Sequence, residues 1–299
     1  MALPQPAYAA YRTGNAIARA LPARLVPGAA TAGGGLARLV MQGRRQMVRR
    51  HQLRVRPELG PAELERAVDE VFRSYAHYWL ESFRLPGTDP EVLDAGLRTE
   101  GFEHIQSAYD AGNGVVLAMP HLGAWEWAAF WLTTYKNMPV SAVVEAVEPP
   151  ELADWFVGLR SALGMQVLPL DSSAGTAAAR ALRDERVLTL MCDRDVAGGG
   201  TEVEFFGERT TLPSGPATLA LRSGAPLVPA TVLFDGDGHF GIALPPLDTS
   251  RRGRIREDVA RVTQDLADAL ERLIRMAPEQ WHLMQPNWPS DHEGAGVVP

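Results

Sequence analysis

The sequence predicts an α/β fold: a single domain with a central mixed, mostly parallel β-sheet flanked by helices on both faces, plus an N-terminal amphipathic helical region. Three observations predict it. From about residue 115 onward, short apolar runs of strand length alternate with stretches of helical length, the pattern of a sheet covered on both faces. The first 57 residues show helical spacing of apolar residues beside many arginines. Neither an internal repeat nor a low-complexity linker divides the 299 residues, and one domain of this length buries a substantial core.

The elements follow in order. Residues 7–25 and 35–50 are expected as two helices, separated by a breaker run from Pro27 to Gly35. Tyr8, Tyr11, Ile17, Leu21 and Leu25 form one apolar stripe on the first. Gly60-Pro61 opens a long helix through about Arg84, because proline at a first helical position gives up an N–H that has no partner there. Short helices are expected near 90–97 and 101–111. Strands at 115–119, 140–144, 167–170 and 187–192 alternate with helices at 122–136, 151–163 and 174–183. A helix at 215–223, strands at 227–234 and 239–244, and an amphipathic helix at 256–276 complete the core. The chain therefore divides into a basic helical region (1–57) packed on the core, an α/β core (58–288) and a loose tail (289–299).

Charge is polarised along this plan. The net charge is −7, yet residues 1–57 hold ten arginines and no acid, leaving 19 basic against 36 acidic residues in the remainder. A basic segment on an acidic body suits docking on one anionic surface. An extended nucleic-acid footprint is excluded, because a phosphate backbone would repel the remainder. An anionic membrane needs contact on one side only, and each arginine near it contributes about 1 kcal/mol. The alternative reading packs both helices on the core with solvated arginines. No run of about 18 apolar residues is present to span a bilayer, and the N-terminus lacks the basic start and apolar block of a signal peptide. Any lipid contact is thus expected to be peripheral.

Chemistry is expected where the first core strand ends, since ligands of open α/β sheets bind beyond the carboxyl ends of strands. Met119-Pro120 leads straight into His121-Leu122-Gly123-Ala124-Trp125-Glu126. With His121 on a loop or first turn, the chain can fold back so that Glu126 reaches the imidazole. A helix N-terminus lowers a histidine pKa, whereas a carboxylate raises it and fixes the tautomer. Together they describe a neutral histidine poised to accept a proton. The bland reading makes His121 a helix-entry residue and Glu126 a surface or satisfied core acid. Trp125, Trp127, Phe130 and Trp131 read mostly as core, with one side available to shelter an acyl chain.

Other chemistries are disfavoured. A lone Cys192 excludes an internal disulfide framework and any multi-cysteine metal site. The seven histidines are dispersed without metal-ligand spacing. No Gly-x-Ser-x-Gly elbow is present, and Ser214, at a helix start, reads as an N-cap. Gly198-Gly199-Gly200 lacks the lysine and helix of a phosphate cradle.

Four blocks in order give a family resemblance covering roughly residues 5–288. They are His121 with Glu126, Cys192-Asp193-Arg194-Asp195, Phe205-Phe206-Gly207 leading to Leu212-Pro213-Ser214-Gly215-Pro216, and Gly224-Ala225-Pro226-Leu227-Val228-Pro229. The chain resembles the bacterial membrane acyltransferases that include the lipid A lauroyl/myristoyl transferases and the phosphatidylinositol mannoside acyltransferases. Glutamate at position 126, the stretch Glu145-Ala146-Val147-Glu148-Pro149-Pro150 and Trp281-His282-Leu283-Met284-Gln285-Pro286 look like the actinobacterial branch. The resemblance implies transfer of an acyl group from acyl-CoA to the 6-position of a mannose on a lipid-linked acceptor. It implies no further cofactor and a peripheral place on the cytoplasmic face of the plasma membrane. His121 would be the general base and Glu126 its assistant. Glu145 and Arg160 would hold the acceptor's polar head or, alternatively, pair with each other at the surface. Asp193, Arg194 and Asp195 would meet sugar hydroxyls, phosphate or the oxyanion, or else pair structurally.

Overall fold

The computed structural model describes residues 6–145 and 147–292. It opens with helices α1 (Pro6–Ala20), α2 (Val26–Val40), α3 (Gln42–Val55) and α4 (Pro61–Arg84). The breaker expected from Pro27 to Gly35 is instead part of α2. Pro27 stands in the first turn, where its missing N–H costs nothing. Gly34 is buried where α2 meets α4. A Cβ there would lie 2.7 Å from the Phe72 carbonyl oxygen and 2.8 Å from the Arg73 Cα, so the glycine is a packing residue and not a breaker. On α4, Leu64, Val68, Val71 and Phe72 form a buried cluster with Val48 of α3 and with Met284.

The core then runs α5 (Pro90–Ala95), β1 (Leu97–Glu100), α6 (Phe102–Asp110), β2 (Val115–Met119), α7 (Trp125–Thr134), β3 (Val140–Val144), α8 (Pro150–Ala162), β4 (Gln166–Pro169), α9 (Ala174–Arg183) and β5 (Val187–Met191). It continues through β6 (Thr201–Phe205), β7 (Glu208–Leu212), α10 (Gly215–Ser223), β8 (Leu227–Asp235), β9 (Gly238–Ala243), α11 (Ile255–Met276) and a short α12 (Pro289–His292). Three strands were not expected. β1 forms where the helix near 90–97 was extended too far, and β6–β7 are a hairpin joined by Phe206 and Gly207, both left-handed. Of the tail expected to be loose, 289–292 form α12 with Asp291 buried, and the rest lies outside the described residues.

Among the described residues the sheet has seven strands in the order β1-β9-β8-β2-β5-β3-β4. β8 and β9 pair antiparallel and every other neighbouring pair is parallel, so the sheet is mixed and mostly parallel. Both faces are covered. Val116 and Ala118 pack with Leu188 and Leu190 against α9, α10 and α11, while Val115, Leu117 and Met119 point into a second cluster under α5, α6 and α7. This is why β2 is apolar at every position. In register, Met119 sits opposite Met191. His121 and Asp193 therefore lie two residues beyond the matched ends of adjacent parallel strands.

Candidate active site

The helix expected over 122–136 begins only at Trp125. Leu122 bridges Trp281, and Gly123 bridges Val232. Gly123 has φ +65°, and a Cβ there would lie 2.0 Å from the Val232 carbonyl oxygen, so no other residue fits. His121 is consequently held on an extended loop ahead of α7, not in its first turn.

The carboxylate that meets the imidazole is Asp193. Its Oδ1 lies 2.6 Å from His121 Nδ1, and its Oδ2 accepts the His121 backbone N–H at 3.0 Å and the Trp281 indole N–H at 2.8 Å. Asp193 is fully buried, whereas the His121 side chain remains 39% exposed, and its Nε2 has no protein partner among the described residues. Burial alone would lower the histidine pKa, but the charge and hydrogen bond of Asp193 outweigh it, with Arg194 opposing and Glu145 adding, so the net shift is upward. For Asp193, burial pushes up, while the charge and hydrogen bonds of His121 and the indole pull harder, so its carboxyl lies below the usual range. The two shifts agree on an ion-paired dyad when the ring is protonated.

Glu126 serves elsewhere. It is 2% exposed; its Oε1 accepts from the Tyr78 hydroxyl at 2.8 Å and from Arg160 at 3.1 Å, and its Oε2 is buried without a partner. Burial raises its pKa despite Arg160 and Tyr78. Arg160, on α8, lies over the rings of Trp125 and Phe156, and Tyr78 also accepts the Trp125 indole N–H at 3.2 Å. Glu145 and Arg160 do not pair with each other. Glu145 instead faces Arg194 at 3.8 Å, both beyond strand ends. Asp195 closes its own loop, accepting from the backbone N–H groups of Gly198 and Gly200. It also borders an open cavity of about 390 Å³ with Glu202, Arg209, Asn287 and Trp288.

Sequence reasoning placed Asp193 among substrate contacts and did not foresee it on the imidazole. The missing signal was strand adjacency, because β2 and β5 are neighbours in the sheet but far apart in the chain. Two further neighbours were missed. Tyr78 is one polar tip among apolar residues on the buried face of α4. His282 donates its backbone N–H to the His121 carbonyl and lies 2.9 Å from the Ser74 hydroxyl through Nε2; burial, and then His121, push its pKa down to about 3. Cys192 is fully buried with its thiol pKa raised by burial, which makes it inert. Ser214 precedes α10 but makes no capping hydrogen bond with its side chain.

A solvent-reachable imidazole steered by a buried carboxylate is equipped to take a proton from a hydroxyl and then to carry the positive charge. An apolar cavity of about 50 Å³ lies between the sheet and α7, lined by Met119, Ala128, Trp131, Leu132 and Val232 among others.

Comparison with known proteins gives the family. The phosphatidylinositol mannoside acyltransferase of Mycolicibacterium smegmatis is 39% identical over 287 residues, covering 94% of this chain and 91% of that protein. Its namesakes from two Mycobacterium tuberculosis strains, H37Rv and CDC 1551, are each 39% identical over 223 residues, 73% of this chain and 69% of theirs. The family model described as bacterial lipid A biosynthesis acyltransferase matches residues 3–290. The chain belongs to that family and is an acyltransferase.

Proposed function

We propose that this chain transfers a fatty acyl group from acyl-CoA to the 6-hydroxyl of a mannose in a phosphatidylinositol mannoside, with His121 as general base. One observation carries the reading: His121 keeps Nε2 open to solvent while Nδ1 is held 2.6 Å from buried Asp193. The name of the relatives aligned along the chain supports the acceptor.

Nε2 takes the proton of the mannose hydroxyl as that oxygen attacks the thioester carbonyl carbon. The tetrahedral intermediate collapses by breaking the C–S bond, and the leaving CoA thiolate recovers the proton from the imidazolium. Asp193 fixes the tautomer and stabilises the charged ring. Glu126 assists from the interior by anchoring Arg160. Glu145 and Arg194 meet the acceptor's hydroxyls and phosphate at the strand ends, and Asp195 shapes the loop beside them. The acyl chain is sheltered on the face of α7 that carries Trp131. Base catalysis of this kind contributes about 10²–10⁴-fold.

The enzyme works as a peripheral protein at the cytoplasmic face of the plasma membrane. No described helix is long and apolar enough to cross a bilayer. Leu36, Leu39 and Val40 share one face of α2 and are 65–72% exposed, and Arg12, Arg19, Arg24 and Arg44 are exposed with no acidic partner among the described residues. An apolar fringe with unpaired arginines suits an anionic lipid surface. The decisive assay offers labelled acyl-CoA with a panel of lipid acceptors and identifies the product. Acylated phosphatidylinositol mannoside is expected; a product formed only from another acceptor overturns the assignment.

A further inference from the structure

The segment after α11 runs back along the catalytic loop. Besides the Leu122–Trp281 bridge, the His282 backbone N–H reaches the His121 carbonyl at 2.7 Å and the Gly123 N–H reaches the Gln280 carbonyl at 3.0 Å. Trp281 is 1% exposed. Its ring stacks on His51 of α3 at 5.3 Å and 30°, with Phe206 and Trp288 on other sides. His51 is anchored in turn, Nδ1 at 2.9 Å from the Leu283 carbonyl and Nε2 at 3.3 Å from Asp291 Oδ2. An apolar bicyclic ring of the same size could fill this space. What tryptophan adds is an N–H placed on Asp193.

We propose that Trp281 is a positioning residue for the His121–Asp193 pair, its indole N–H drawing part of the carboxylate charge away from the imidazole and so setting the strength of the base. The inference rests on the reading of His121 as that base. Asp193 Oδ2 accepts two hydrogen bonds, from the indole and from the His121 backbone, while Oδ1 faces the ring. Each donor on the first oxygen reduces the charge the carboxylate offers to the proton on Nδ1. With the indole donor removed and the pair still assembled, that charge returns to the imidazole and the ring binds its proton more tightly. The other ionisable groups facing the ring are Arg194 beyond β5, Glu145 beyond β3 and His282 after α11; the substitution leaves all three in place.

The test is Trp281→Phe, with the His121 ring titrated by NMR in the resting protein and kcat followed against pH. The titration is expected to move up by about half to one pH unit, with turnover at pH 6.5 reduced about three- to tenfold and the deficit closing at alkaline pH. The KM for acyl-CoA is expected to stay unchanged. A titration that stays put or moves down, or a rate deficit equal at every pH, overturns the proposal and leaves Trp281 a packing residue. Should the phenylalanine variant not fold, benzothienylalanine at position 281, isosteric but without the N–H, carries the same expectation. His121→Ala run in parallel separates the two ideas. Full transfer by that variant removes the base, whereas the titration of His121 reports on Trp281 whether or not the protein turns over.

Discussion

At the scale of residues, the dyad gives the reaction a pH signature. A base acts unprotonated, and His121 has its pKa above the ordinary 6.5 because Asp193 outweighs burial. Activity is therefore expected to fall as pH drops through a value above 6.5, read as the acid limb of kcat against pH; a limb below 6.5 contradicts the pairing. Stability carries the two signs separately. The raised His121 value contributes fully below about 6.5 and is lost as pH rises through the folded value. The lowered Asp193 value contributes above about 3.8 and is lost as pH falls through the folded value. The pair thus stabilises the fold most between those two limits. His121 was legible as a candidate base because proline ends its strand and polar residues follow an apolar run. Its partner was not legible, since Glu126 is near in the chain and Asp193 is near only in the sheet. The register that sets Met119 opposite Met191 decides between them.

Among the elements, the strand–helix alternation from β2 to β5 was readable because those strands are mostly apolar and turn residues separate them from the helices. β1 and the β6–β7 hairpin were missed for a shared physical reason. Their side chains alternate with solvent or carry threonine, arginine and glutamate, so no apolar run announces them. The misread segment at 27–35 makes the opposite point. Glycine there reports close approach of α2 to α4, which a sequence read without its neighbour cannot separate from helix breaking. Gly34→Val should force α2 away from the Phe72 carbonyl and lower stability by about 1–3 kcal/mol, measured as a lower urea midpoint at an unchanged slope. A midpoint equal to the wild type's would mean that α2 does not rest on α4 as described.

For the molecule as a whole, the basic N-terminal region proves to be divided in its use. Arg38, Arg45 and Arg49 converge on Glu65, and Arg54 lies against Glu208 and Asp291, so part of the excess charge joins helices to the core. Arg12, Arg19, Arg24 and Arg44 are exposed without an acidic partner among the described residues, and Leu36, Leu39 and Val40 are exposed as well. Replacing these four arginines with glutamine should remove about 4 kcal/mol of attraction at most and abolish flotation with anionic liposomes, with neutral liposomes as the control. Unchanged flotation would contradict membrane docking through this face. Strand order and loop path together bring one imidazole against Asp193. The most direct measurement of that claim is kcat for acyl transfer by Asp193→Asn, which keeps the side chain's shape but not its charge. The expected result is a fall of about 10²–10⁴-fold with the acyl-CoA KM nearly unchanged; turnover close to that of the wild type would contradict it.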